Sequence, residues 1–428
     1  MATKIVVRGA CMEAPRGVRG ERGASPDSSH AVPDDRRDAP RRLAERRRWN
    51  SPVSALARSS SLPSAILIML LAGMLLTGLV GCGQASRTSQ QHQPSQLGQP
   101  SQLGQPSQLG QPGQPIAPIV DPLPSWRAGE SKQAILEFVA RATDEDGPDF
   151  VKPEDRIAVF DNDGTLWAEQ PVYVQVVFAI DQVRATAAKH PEWRETEPYA
   201  SILRGGEDVL RSMSGRQLVA LATEVFGGMT TEEYRDAVTA WLSTARHPTT
   251  GLRYEEMVYQ PMLEVLAHLR ANGFRTYIVS GGGFEFVRPL AERVYGIPPE
   301  QVLGSIASLR LEQRDGVPIL VKGTALEFLN DREAKAIAIE RMIGRRPVLA
   351  FGNSDGDLAM LEWTSAGAGA RLGVLIHHTD AIREWSYDRG SAIGTLDVGL
   401  DEAVERGWTV VDMARDWAEV YPIPPSTR

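Results

Sequence analysis

Four short apolar runs recur along the chain from residue 157 onward: Ile157–Phe160, Thr276–Val279, Pro347–Phe351 and Leu372–Ile376. Each runs without alternation into polar or glycine residues, the pattern of a strand buried on both faces of a parallel sheet. Between them the apolar period lengthens to that of helices. Ser131–Arg141 places Ile135, Phe138 and Val139 on one face, and Val172–Ala188, Arg216–Phe226, Thr231–Thr244 and Tyr259–Asn272 follow, with Gly273 as a stop. A further helix is expected over Phe284–Tyr295, and another opens at Asn330-Asp331-Arg332-Glu333 with capping-type residues. Residues 302–322 alternate apolar and polar around Arg314-Asp315-Gly316, a hairpin signal. The fold class is therefore α/β. A core over residues 126–171 and 271–428 is interrupted by an all-helical insert at 172–270, about the size of a small domain.

The first third has a different pattern. Residues 1–63 are rich in Arg, Pro, Ser and Asp with no sustained apolar period, and Arg46-Arg47-Arg48 and Arg58 precede the apolar run Ala65–Val80. A basic segment followed by an apolar run and small residues reads as an export signal over 64–82. Its end, Leu79-Val80-Gly81-Cys82, resembles the lipobox of bacterial lipoproteins. The resemblance implies cleavage before Cys82 and lipid on its thiol, which would anchor the chain to a membrane outside the cytoplasm, in the periplasm of a Gram-negative cell. The alternative is a single spanning helix, for which the run is marginal in length. The stretch before the signal is long for a leader, and translation starting near Val53 would account for it. Residues 83–125 read as a disordered spacer. Ser-Gln-Leu-Gly-Gln-Pro occurs three times over 95–112, with too little apolar content to bury a core.

Charge sharpens the division. Net charge is −8, but residues 1–82 carry 13 Lys/Arg against 7 Asp/Glu, which leaves the rest at −14. An acidic body argues against nucleic acid as a partner. The two cysteines, Cys11 and Cys82, exclude a disulfide framework and a cysteine zinc site.

The chemistry-bearing residues lie where the apolar runs end, which in open α/β sheets is where ligands bind. Asp161 and Asp163 follow the first run. Positions i and i+2 of an extended segment point the same way, so the two carboxylates share a site that calls for a metal, a proton, or both. Ser280-Gly281-Gly282-Gly283 follows the second run and offers backbone N–H groups and a hydroxyl to an anion such as phosphate. Lys335 lies in the first turns of the helix before the third run, where a cation opposes the helix dipole unless it has a specific partner. After the third run, Gly352-Asn353-Ser354-Asp355-Gly356-Asp357 supplies oxygen donors suited to a hard cation such as Mg²⁺. His377-His378 follows the fourth run and is read as structural, because the oxygen clusters already satisfy a magnesium site.

In this order the motifs resemble the haloacid-dehalogenase-like hydrolase superfamily, and within it the phosphoserine-phosphatase-like branch. The resemblance covers roughly residues 126–415. It implies a Rossmann-like parallel sheet with a helical cap, and a Mg²⁺-dependent phosphatase acting on a small phosphorylated substrate. By the same resemblance Asp161 is the nucleophile, Asp163 the general acid and base, and Ser280, Gly281 and Lys335 hold the phosphate. Lys322 is a second candidate for that lysine. The metal set is Asp161, Asp163, Asn353, Asp355 and Asp357. Here the sequence departs from the branch, whose fourth motif begins Gly-Asp. Asn353 brings an oxygen without charge, and Asp355 is the expected replacement carboxylate. Trp167, Glu169 and Gln170 are candidates for contacting the leaving group, and Arg204 in the cap for meeting an acidic substrate. The alternatives are a non-catalytic binding lipoprotein on the same scaffold, and a phosphonate-cleaving or phosphotransferase enzyme of the same fold.

Overall fold

The computed structural model describes residues 120–206 and 208–422. The leader, the Ala65–Val80 run, Cys82 and the glutamine-proline repeat lie outside them. Among the described residues no helix is long and apolar enough to cross a membrane.

The first apolar run is the centre of the sheet. Ile157–Phe160 forms β1, parallel to β2 (Arg275–Gly283) on one side and to β5 (Leu349–Gly352) on the other. Beyond β2 lie β3 (Val302–Arg314) and its antiparallel hairpin partner β4 (Val317–Phe328). Beyond β5 lie β6 (Leu372–Thr379) and then the two-residue β7 (Ser386–Tyr387), while β8 (Thr409–Asp412) runs parallel to β6. The spatial order is β4-β3-β2-β1-β5-β6-β7. The strand order therefore reverses around β1, and in such sheets the crevice at that point collects ligands.

The uninterrupted apolar character of β1 has a direct cause. All four residues are fully buried. Successive side chains point to opposite faces, so Ile157 and Val159 enter one apolar layer with Val279, Ala350 and Leu375. Ala158 and Phe160 enter the other, with Ile278, Phe351 and the helix Gln260–Ala271. Phe160 stacks on Phe351 across the β1–β5 ladder, ring centroids 4.8 Å apart and 10° from parallel.

Between β1 and β2 the longer elements are helices: Val174–Thr186, Gly215–Glu224, Thr231–Thr244 and Gln260–Ala271. Two of them begin in capping boxes, Ser214 with Gln217 and Thr230 with Glu233, where side chain and backbone satisfy each other's free N–H groups. Part of this block has its own apolar cluster, including Val176, Ile180, Tyr199, Ile202, Leu218 and Leu221. Another part is tied to the sheet layer by aromatic contacts. Phe178 stacks on Phe226 at 4.7 Å and lies 5.6 Å from Phe286, which follows β2.

Replacing Phe351 by Ala should lower the unfolding free energy by about 3–5 kcal/mol, the range for a large fully buried aromatic. Urea denaturation checks it, and a loss below about 1 kcal/mol would show that the β1–β5 face is not a rigid part of the core.

Candidate active site

The site is built at the C-terminal ends of β1, β2 and β5. The Asp161 N–H donates to the Phe351 carbonyl at 2.9 Å, so the first carboxylate leaves the end of the sheet on a fixed backbone. The chain then turns tightly. The N–H groups of Thr165, Leu166 and Trp167 all donate to the Asn162 carbonyl, at 3.2, 2.8 and 3.3 Å. Gly164 sits at φ 77°, and a Cβ there would come within 2.1 Å of Asn353 Nδ2 and 2.4 Å of Glu169 Oε1. Both the backbone angle and the close approach require glycine. The turn carries Trp167 back so that its indole N–H donates to Asp163 Oδ1 at 2.9 Å.

Lys335 joins the motifs. Its ammonium donates to Asp161 Oδ1 at 2.5 Å and to Asp357 Oδ1 at 2.6 Å, with all three residues buried. Asp357 is itself held by the Asn353 N–H at 3.0 Å, the Ser354 N–H at 3.1 Å and the Ser354 hydroxyl at 3.2 Å, all on Oδ2. Burial works against the Lys335 ammonium, but the charges of Asp161 and Asp357 outweigh it and hold its pKa above the ordinary lysine range. Burial pushes the Asp161 carboxyl well up, and the Asp357 carboxylate adds to that against Lys335. Burial also raises Asp163.

Glu169 is nearly inaccessible at 2% exposure. Its Oε1 accepts from Asn353 Nδ2 at 2.7 Å and from the Tyr387 hydroxyl at 2.8 Å. A Cβ on Gly394, at φ 64°, would stand 1.9 Å from the same oxygen, so glycine is needed there for the enclosure to close. Both donors are neutral. Burial therefore pushes the Glu169 carboxyl well above its usual range, and the nearby Asp163 and Asp161 add to the shift.

The other expected residues are placed as follows. Ser280 is fully buried; its hydroxyl accepts from the Gly282 N–H at 3.0 Å and lies 3.4 Å from Asp163 Oδ2. The Gly283 N–H donates to Gln175 Oε1 at 2.8 Å, and Gly281 and Gly282 line the cavity with Asp161, Asp163, Glu169 and Lys335. Asp355 is not brought to this group. Its carboxylate accepts from the N–H groups of Asp397, Val398 and Gly399 at 3.0, 3.2 and 2.9 Å, at the start of the helix Val398–Arg406. Four free N–H groups at a helix start attract a carboxylate more strongly than a site already rich in them. Lys322 is paired with Glu285 under the Tyr234 ring and is absent from the Asp161 cavity wall. Gln170 donates to Ser391 and to the Ile393 carbonyl. Trp167 is buried against Phe286. Arg204 is exposed and paired with Glu197 at 2.8 Å. Of these four specificity candidates, Glu169 alone lines the cavity.

Several supporting residues have no local signature. His378 Nε2 donates to the Gly164 carbonyl at 2.8 Å while Nδ1 faces Glu384 Oε2 at 3.0 Å, so the second histidine of the pair braces the acidic turn. Tyr387 and Gln175 reach the site through contacts that no spacing rule announces.

The donor set is hard oxygen, and four buried or partly buried carboxyl groups face the single ammonium of Lys335. That excess of negative charge suits a divalent cation. Among the described residues no three His, Cys, Asp or Glu side chains are gathered as a ready-made metal cluster. Mg²⁺ typically takes one or two carboxylates and completes its shell with water and substrate phosphate.

Residues 158–362 match the family model described as haloacid dehalogenase-like hydrolase, so this segment is similar to that family of hydrolases. Among curated proteins none matches it in sequence. Similar solved structures include a Bordetella pertussis Tohama I protein of unknown function, with 18% identity over 60% of this chain and 98% of that one at a TM-score of 0.39. A functionally unknown Anaerococcus prevotii protein has 19% identity over 65% and 90% at 0.41. A phosphoserine phosphohydrolase-like protein from Francisella tularensis has 15% identity over 58% and 98% at 0.32. At these values the chemistry of those proteins does not transfer to this chain.

Two outcomes follow. A carboxyl whose pKa is raised on folding binds its proton more tightly folded than unfolded, so stability falls as pH rises from its ordinary value of 4.5 toward the folded one. With a chelator present, Glu169→Gln should therefore raise Tm by about 2–4 °C at pH 8, and the gain should vanish below the ordinary value. A gain independent of pH would disprove the buried-charge account. Asp355→Ala should cost about 1–2 kcal/mol of stability, as loss of a helix cap does, with Mg²⁺ affinity unchanged by calorimetry.

Proposed function

We propose that this protein hydrolyses phosphate monoesters with Mg²⁺, through a phosphorylated Asp161, and that it does so outside the cytoplasmic membrane, held there by lipid on Cys82. The observation that carries the chemical part is the buried Lys335 bridge between Asp161 and Asp357, with Asp163 held two residues on. It fixes a carboxylate nucleophile, a cation for phosphate oxygens and a separate proton carrier in one cavity. The residues that would hold the cation are Asp161 and Asp163 at the cavity wall, with the enclosed Glu169 adding negative charge beside them. Bound there, Mg²⁺ supplies positive charge to the phosphate oxygens and to the crowded carboxylates.

Asp161 attacks phosphorus, and the bond from phosphorus to the leaving oxygen breaks. Asp163, whose pKa burial raises, gives its proton to that oxygen. Lys335 and the Ser280 hydroxyl bind the phosphoryl oxygens, and Lys335 also favours the ionised form of Asp161. In the second half Asp163 takes a proton from water, the water oxygen attacks the phosphorus of the aspartyl phosphate, and the bond to Asp161 breaks. Inorganic phosphate leaves, and both carboxyl groups return to their starting states. Positioning and charge neutralisation supply most of the rate in such transfers.

Phosphate release by the purified protein should require Mg²⁺ and fall by roughly 10³-fold or more in Asp161→Asn. In kcat/KM, which reads only the steps through phosphoryl transfer to Asp161, Asp163→Asn should lose about 10²–10⁴-fold on alkyl phosphates but far less on p-nitrophenyl phosphate, whose leaving group needs no proton. Because Asp163 must carry a proton in the first step, kcat/KM on alkyl phosphates should fall as pH rises through its raised pKa, and this limb should disappear in the variant. Equal losses on both substrates would remove Asp163 from the acid role.

A further inference from the structure

The cavity that holds Asp161 has two unlike parts to its lining, and this deepens the phosphomonoesterase reading on which it rests. One part carries Asp161, Asp163, Lys335, Gly281 and Gly282. The lining also includes Val176, Leu218, Val219 and Ala222 from the helical insert, with Phe286 and Val287 from the element after β2. The cavity volume is about 120 Å³. An apolar cavity of roughly 150 Å³ takes a benzene ring.

Two of the polar groups lining the cavity are already occupied. Gln175 Oε1 accepts the Gly283 N–H, and Lys335 is held between two carboxylates. Among the described residues lining the cavity, Lys335 is the only cation. The neighbouring cation, Lys322, is buried against Glu285 and the Tyr234 ring, and Arg204 is exposed on Glu197. A leaving group with its own carboxylate or second phosphate would place that charge against apolar side chains and near four carboxyl groups, with no cation to meet it. An uncharged apolar body would instead exchange water for side-chain contacts.

We infer that the substrate is the phosphate monoester of a small uncharged alcohol or phenol, its apolar body held by Val176, Leu218, Val219, Ala222, Phe286 and Val287. The phosphate end is common to any monoester. The apolar wall sets which ones are turned over.

The test uses matched pairs that differ by one carboxylate: phenyl phosphate against 4-carboxyphenyl phosphate, and propyl phosphate against 3-phosphonooxypropanoate, each with the full chain and Mg²⁺. The neutral member of each pair should have kcat/KM higher by on the order of 10²-fold or more. Val219, only half-buried on its helix, is the position at which to add a cation. Val219→Lys should narrow both ratios by about tenfold or more by raising the carboxylate-bearing substrates. Equal turnover within the pairs, or a preference for the charged member, would overturn the inference while leaving the phosphatase reading standing. Release of phosphate from no member of either pair, with the protein folded by circular dichroism, would overturn both.

Discussion

The buried contact of Lys335 with Asp161 and Asp357 is the constraint on which the site depends. One ammonium, shut away from water, meets carboxylates contributed by the ends of β1 and β5. Removing one partner of such a group leaves an uncompensated buried charge, a far larger penalty than the pair's net gain. The arrangement therefore acts less as a source of stability than as a rule about geometry. β1, β5 and the helix carrying Lys335 must stand in one relation or the charges are left unmatched. Asp357 answers that rule with three donors on its second oxygen, which leaves its first oxygen for the lysine. Burial raises the pKa of Asp161, Asp163 and Glu169, and neighbouring carboxylates add to the rise at Asp161 and Glu169.

Much of this was legible in the order of residues. A buried parallel strand needs apolar side chains on both faces, so Ile157–Phe160 could be read directly, as could the chemistry at its end. The helices at 174–186, 215–224, 231–244 and 260–271 follow their apolar period closely, and capping residues mark two of their starts. The hairpin turned at the expected place, although β4 runs on to Phe328, beyond the alternating stretch, because pairing with β3 continues there with shifted register. The glycines after Ser280 extend β2 rather than form a free loop, since Gly283 pairs with Ser305.

What could not be read is where a carboxylate points. Asp355 lies between two site residues in sequence, yet a short helical turn over Asp355–Asp357 swings it to the opposite side, where the amides of residues 397–399 take it. Glu169, expected to face a leaving group, stands beside Asn353 instead. The uncharged amide at 353 and the enclosed carboxyl at 169 make sense as a pair: the acidic oxygen that position 353 lacks is present on the adjacent chain segment. Local spacing carries no trace of this exchange, because the two residues are separated by 184 positions.

The enclosure of Glu169 also bears on how the chain matures. Its lid is Tyr387 and Gly394, and Gln170 beside it is tied to Ser391 and Ile393, contacts that span more than 200 residues. During synthesis the acidic turn after β1 emerges long before these partners exist. A chain that folds from its N-terminal end carries an unsealed cluster of carboxylates until residues beyond 387 arrive. Closing such distant contacts is slow relative to local helix formation. The enclosure around Glu169 therefore closes only once residues 387–394 are in place.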